Sequence, residues 1–340
     1  PPTPHHFFNA EDGIRDFLLS LVGSEMCIRD RKMPWAGAFA ALMALVVVDG
    51  VRIDGSFIQT LDFYEWSQAD PNMRQLLERE QGSDEPYRLL SFARAGQDVS
   101  AAMQGIELAA GHHPNDLSRY RELIGMVGSG LPRNLLNPNV RNILNVRYIL
   151  WPDIELGASP EGGVISRTQY TGGRTYHTLL ADAGLDRARL VGRAVVKSDA
   201  EAVQYIMGQE HDPRTEAVLA EAPPVALDGG TPVGSVEWVE RGVDRHELRV
   251  ESDRPALLIV ADNWFPAWRA TVDGAETDVL RAYHTLRAVP VPAGTSTVRM
   301  WYESTLLERS FLISLVTLLG LMAAFGVGIW RSRPEPEEAH

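Results

Sequence analysis

Cysteine occurs once in these 340 residues, at Cys27, so a single chain can neither close a disulfide nor assemble a thiolate metal cluster. Lysine is nearly missing as well. Lys32 and Lys197 are the two present, and arginine carries almost all the positive charge, a bias that reads as GC-rich bacterial coding. There is no cationic surplus to meet a phosphate backbone. The formal net charge is -13, which excludes nucleic acid as a partner. Also absent are a glycine-rich phosphate loop, a Gly-x-Ser-x-Gly elbow and a metalloprotease helix. His112 and His113 with Asp116 lack a third ligand at helical spacing, and adjacent histidines do not easily face one ion. Neither a metal nor a cofactor is expected.

What the chain does have is strong segregation, with its long apolar runs near the two ends. The first 31 residues are set apart. Glu25-Met26-Cys27-Ile28-Arg29-Asp30 back-translates as GAG ATG TGT ATA AGA GAC, which looks like a transposase adaptor used to prepare sequencing libraries. A near echo lies in the segment from Ala10 to Asp16. Residues 1–31 are therefore expected to be adaptor-derived, with the natural chain entering near Lys32 already shortened; the other reading is an amphipathic N-terminal helix.

The clearest physical signal is Phe311 to Trp330, an uncharged stretch of 20 residues. As a helix it is roughly 30 Å long, the hydrocarbon thickness of a bilayer. Trp330 suits the interface, and Arg331 and Arg333 place the following tail, 331–340, in the cytoplasm. Gly320, Ala324 and Gly328 recur every four residues, a small-residue stripe that lets a second helix approach closely. A second apolar run fills residues 33–48 and is expected to stop at Asp49 as the last part of another span. Both ends would then be cytoplasmic in a bacterial inner membrane, with the bulk of the chain extracytoplasmic.

Between the spans, 49–225 mixes helix and strand signals. Asp70-Pro71 opens an amphipathic helix, Asn137-Pro138 opens another, and Val146 to Trp151 is strand-like up to Pro152. Arg189 to Val196 reads as one strand, followed by a capping box from Ser198 to Glu201. An α+β extracytoplasmic domain follows from this mixture. From 232 to 304 the texture changes to seven short strands with frequent turns, including a hairpin at Asp273-Gly274 joining Trp268–Val272 to Glu276–Arg281. That pattern predicts an all-β immunoglobulin-like or jelly-roll sandwich.

The stretch Asp262-Asn263-Trp264-Phe265-Pro266-Ala267-Trp268, continuing to Val272-Asp273-Gly274, resembles a motif of the YfhO family of bacterial polytopic membrane proteins and of related GT-C glycosyltransferase-like proteins. Arg281-Ala282-Tyr283 and Leu286 to Gly294 extend the likeness, and Gly111-His112-His113-Pro114 with Arg119-Tyr120, and Leu144 to Ile149, add upstream matches. Ala267 stands where the family usually has glycine, and His112 or His113 where tyrosine is common.

The resemblance implies a C-terminal part of a glycosyltransferase-like protein of cell-envelope glycan or teichoic-acid-type modification. Its donor would be a polyprenyl-phosphate sugar. Its partners would be the lipid bilayer, the missing N-terminal membrane helices of the same protein and the envelope glycan. Catalytic carboxylates of such proteins lie in early loops, so no catalytic residue is assigned here, and the expected role is accessory or acceptor-docking. The alternative is a membrane-anchored glycan- or protein-binding scaffold without catalysis.

Candidate contacts are the flat faces of Trp264, Phe265 and Trp268, the polar groups of His112 and His113, and Arg119. The aromatics could equally seal one end of the sandwich. Arg119, Arg121 and Arg147 could meet a phosphate, or pair locally with the many carboxylates.

Overall fold

The computed structural model describes residues 35–57, 68–92, 100–111, 116–128, 130–152, 163–169, 176–182 and 184–331. The segment 1–31, His112, His113 and residues 332–340 lie outside the described residues. The chain divides into two compact units, 1–66 and 67–340.

The first unit contributes α1, Trp35–Phe57. The helix does not stop at Asp49 as the sequence suggested, but runs eight residues further. Asp and Gly in a helix interior each cost about 1 kcal/mol or less, too little to end a helix already propagating.

In the second unit α2, Pro71–Arg79, opens where expected. Asp70 caps it by accepting hydrogen bonds from the amides of Asn72 (2.7 Å) and Met73 (3.0 Å), and Pro71 occupies the first turn. Strand β1, Arg88–Ser91, follows, then α3, Ser118–Ile124, α4, Pro138–Ile143, and β2, Val146–Pro152. Helix α3 stops at Gly125, which takes φ +68°. A four-stranded sheet is completed by β3, Gly163–Gln169, and β4, Tyr176–Ala181, in the order β1-β2-β4-β3. Both faces are covered: Leu89, Tyr148, Leu150 and Leu179 pack with Met73 and Leu76 of α2, while Leu90, Ile149, Trp151 and Leu180 join a larger core with α3 and α4.

The expected strand from Arg189 to Val196 is two, β5, Ala188–Val191, and β6, Arg193–Val196. Helix α5, Asp199–Met207, then starts with the capping box at Ser198 and Glu201 and leads to β7, Glu216–Leu219, parallel to β6. The remaining strands are β8, Gly234–Arg241; β9, Arg245–Ser252; β10, Ala256–Asn263; β11, Trp268–Val272; β12, Ala275–Thr277; β13, Leu280–Ala282; β14, Leu286–Val291; and β15, Gly294–Tyr302. One sheet runs β5-β10-β14-β13-β7-β6 and the other β12-β11-β15-β9-β8. Since β5 and β6 are separated by Gly192 alone yet stand at opposite ends of the first sheet, that sheet curls until its ends meet. A side chain at Gly192 would strike the Gly230 carbonyl at 1.8 Å, so the bend needs glycine there.

The two sheets share one apolar layer. Leu248, Val250, Trp268, Ala270, Val298 and Met300 come from the five-stranded sheet, and Ala256, Leu258, Val260, Val289 and Val291 from the six-stranded sheet. The opposite side of β10, with Leu257, Ile259 and Ala261, packs into the core of α3, α4 and α5. This is why Ala256 to Ala261 is continuously apolar rather than alternating. The chain is thus a mixed helical and multi-sheet protein. Its six-stranded sheet takes β5, β6 and β7 from the stretch read as α+β and β10, β13 and β14 from the stretch read as sandwich.

Helix α6, Thr305–Arg331, follows β15 after two residues. Among the described helices it alone is long and apolar enough to cross a membrane: within Thr305–Gly328 its most apolar 18 residues have a mean hydropathy of 2.2 and none of them is buried. Helix α1 carries Asp49, Arg52 and Asp54 and falls short of that standard.

Candidate functional site

The root of α6 lies beside a groove of about 780 Å³ at the edge of the five-stranded sheet. Antiparallel pairing of β11 with β15 sets Arg269 opposite Trp301 and Trp268 opposite Tyr302. Trp268, Arg269, Glu276, Asp278, Trp301 and Glu303 are among the groove's lining residues. The Trp301 indole donates from Nε1 to Glu303 Oε2 at 3.1 Å, which fixes one end of the lining. An indole with carboxylates and one guanidinium offers an apolar face and several hydroxyl acceptors in one place, the pairing that a polyol ring uses.

The loop 264–267 joins the groove to the helix root. The Trp264 indole donates to the Val279 carbonyl at 2.7 Å, and the Glu303 amide donates to the Ala267 carbonyl at 2.8 Å. Phe265 is 45% exposed and sits 6.2 Å from Tyr302, three residues before the start of the membrane-length helix. Trp268 is buried. Its ring meets the Arg287 guanidinium at 3.6 Å, stacks with His246 at 5.5 Å and takes the edge of Tyr302 at 5.8 Å. The three aromatics of one motif therefore have three settings, with Phe265 outward, Trp264 half-buried and Trp268 inward.

Arg119, at the start of α3, reaches Asp199 at 3.4 Å, and Asp199 also holds Arg281 at 2.6 Å. Hydrogen bonding from Arg281 holds the Asp199 carboxyl below its ordinary range. Next to them, His284 Nε2 is 2.7 Å from Glu122. Arg121 donates to the Met126 and Gly128 carbonyls, and Arg147 pairs with Glu80 at 3.4 Å. These arginines are engaged within the protein, and the groove's guanidinium is Arg269 instead. Gly320, Ala324 and Gly328 lie exposed along α6, and a side chain added at either glycine would meet nothing within 4 Å.

A second cluster escaped sequence reasoning. Asp262, at the end of β10, faces Arg187 (3.0 Å), Arg88 (3.2 Å), Arg287 (3.6 Å) and His246 (3.8 Å). Glu107 contacts Arg187 and, at the rim, Arg241. Arg88 also donates to the carbonyls of Ala261 (2.7 Å) and Leu144 (3.0 Å), tying β1 and the end of α4 to β10. Burial would raise the Asp262 carboxyl, but Arg187, Arg88 and Arg287 overcome it and hold it at about 2. Burial and the neighbouring Arg287 push the His246 imidazole down to about 4, so it is neutral at physiological pH. Burial likewise lowers Arg287 to about 10. Asp262 carried a sequence signal as the head of the aromatic motif; its arginine partners come from distant strands and loops, and no spacing reveals them.

Among the described residues, no group of three or more His, Cys, Asp or Glu is placed to hold a metal ion. Compared with known proteins, the chain matches no family model, no curated protein and no solved structure.

Proposed function

We propose that this chain is the extracytoplasmic part of a bacterial membrane glycosyltransferase-like protein, akin to the YfhO family, and that it docks a glycan acceptor above the bilayer. The observation that carries this reading is the groove beside the root of α6, with Trp301 and three carboxylates lining it. In this reading α6 spans the inner membrane with Arg331 on the cytoplasmic side, α1 is a second span, and upstream helices of the same protein hold the catalytic carboxylates and the polyprenyl-phosphate sugar. The two sheets sharing the Trp268 layer form an immunoglobulin-like or jelly-roll sandwich that presents the groove. The bilayer places the groove within reach of lipid-linked sugars.

Titration of the full chain in detergent with N-acetylglucosamine oligomers and with glycerol-phosphate oligomers tests the docking role. Saturable binding of either, weakened at least tenfold by Trp301→Ala without a change in Tm, is expected. Absence of binding by both would remove the acceptor-docking role. Tight binding by a chain whose natural gene encodes no further membrane helices would favour the non-catalytic scaffold.

A further inference from the structure

The cluster around Asp262 has more positive charge than its own carboxylates answer. Among the described residues, four guanidiniums (Arg88, Arg187, Arg241 and Arg287) face two carboxylates, Asp262 and Glu107. Arg187 and Arg287 are only 2% and 4% exposed. Among the described residues, each leaves Nε and Nη1 buried without a hydrogen-bond partner, and both ring nitrogens of His246 are in the same condition. Isolated buried charge is strongly unfavourable, and orphaned donors add to that cost. Local aromatic contact offsets part of it, since Arg287 lies over Trp268. Arg187 has no such contact among the described residues and is the most buried of the four.

We propose that this cluster is a binding site for a small oxyanion of the phosphate class, held by the free N–H groups of Arg187 and Arg287 and entered past Arg241 and Glu107. Those two side chains form the outer ion pair of the cluster and are each about one third exposed. Exchanging Glu107 for an incoming anion keeps Arg187 and Arg241 paired throughout, so entry breaks no uncompensated charge contact. Guanidinium donors in pairs suit the geometry of phosphate oxygens. The site shares Trp268 with the groove but does not depend on the acceptor-docking reading.

The test is thermal unfolding and calorimetric titration of the full chain in detergent with inorganic phosphate, against sodium chloride at matched ionic strength. A saturable rise in Tm and saturable heat with phosphate alone are expected. Arg241→Gln should weaken phosphate binding at least tenfold, while Glu107→Gln, which removes a competing carboxylate, should tighten it several-fold. Both positions are at the rim, so these variants should keep the fold, and a purely structural role would give neither opposite shift. Equal effects of phosphate and chloride would overturn the proposal, with water filling the orphaned donors. Stabilisation by short-chain phosphatidic acid but not by inorganic phosphate would overturn it as well, because the ligand would then be a lipid headgroup.

Discussion

The Arg287 guanidinium carbon lies 3.6 Å from the centre of the Trp268 ring, and this contact joins the six-stranded sheet to the five-stranded one. Trp268 is thereby a structural element of the shared layer, and its truncation leaves a cavity against an uncovered cation. Trp268→Ala should cost about 3–5 kcal/mol, and Trp268→Phe clearly less. Urea unfolding followed by circular dichroism measures both.

His246 makes stability fall on the acid side of neutrality. Its folded pKa is about 4 against an ordinary 6.5, so below 6.5 the unfolded chain takes up a proton that the folded chain refuses. The contribution is complete above 6.5 and declines as pH drops toward 4, by roughly 3 kcal/mol at most. His246→Phe keeps a ring against Trp268 and should flatten this part of a stability profile taken between pH 8 and 4.

Asp262 acts further into acid. Its carboxyl is held at about 2 against an ordinary 3.8, so its contribution is present above 3.8 and is lost as pH falls through about 2. That loss is roughly 2 kcal/mol. Asp262→Asn should remove this acid-dependent step and, by leaving Arg287 without a carboxylate and Arg88 and Arg187 with Glu107 alone, cost about 3–5 kcal/mol at neutral pH in denaturant titrations.

Tyr283 and His284 occupy consecutive left-handed backbone positions, φ 44° and 70°, in the turn between β13 and β14. Strain of about 1–2 kcal/mol for each residue must be offset by its anchors. The buried Tyr283 hydroxyl donates to the Glu216 carbonyl at 2.8 Å, and its amide donates to Val218 at 2.6 Å. Tyr283→Phe should therefore cost about 1–3 kcal/mol, read from unfolding midpoints, with the groove's binding unchanged.

Removal of α6 tests the membrane assignment. A chain running from Ser67 to Ser304, which also lacks α1, should partition to the soluble fraction after high-speed centrifugation, while the same chain continued through α6 should need detergent. Equal solubility of both would show that α6 does not anchor the protein.

Local rules were legible wherever a residue acts on its own neighbours. The cap at Asp70, the capping box at Ser198, the strand Trp268–Val272 and the apolar helix from Phe311 follow from spacing, turn chemistry and length. Partner choice was not legible. The expected strand from Glu276 to Arg281 is β12 and β13, which belong to different sheets, because the chain crosses between layers at Asp278-Val279. The break at Gly192 follows from the approach of the Gly230 carbonyl, a contact set by tertiary packing. In the site, the aromatic motif was visible, but period-two alternation alone did not say which ring turns inward, and Trp301 drew no notice among strand residues. Arg187 and Arg287 read like any other arginines of an acidic chain.

The double covering of β10 has a consequence for dissecting the molecule. A piece beginning at Pro232 would retain β8 to β15 but lack β5 and β7, stripping Leu257, Ile259, Leu286 and Ala288 of the neighbours that keep them dry. Such a piece should clump or bind hydrophobic dyes. The smallest excerpt able to stand alone must carry the polypeptide from α2 onward, so a gene break anywhere between β1 and β8 would silence both halves.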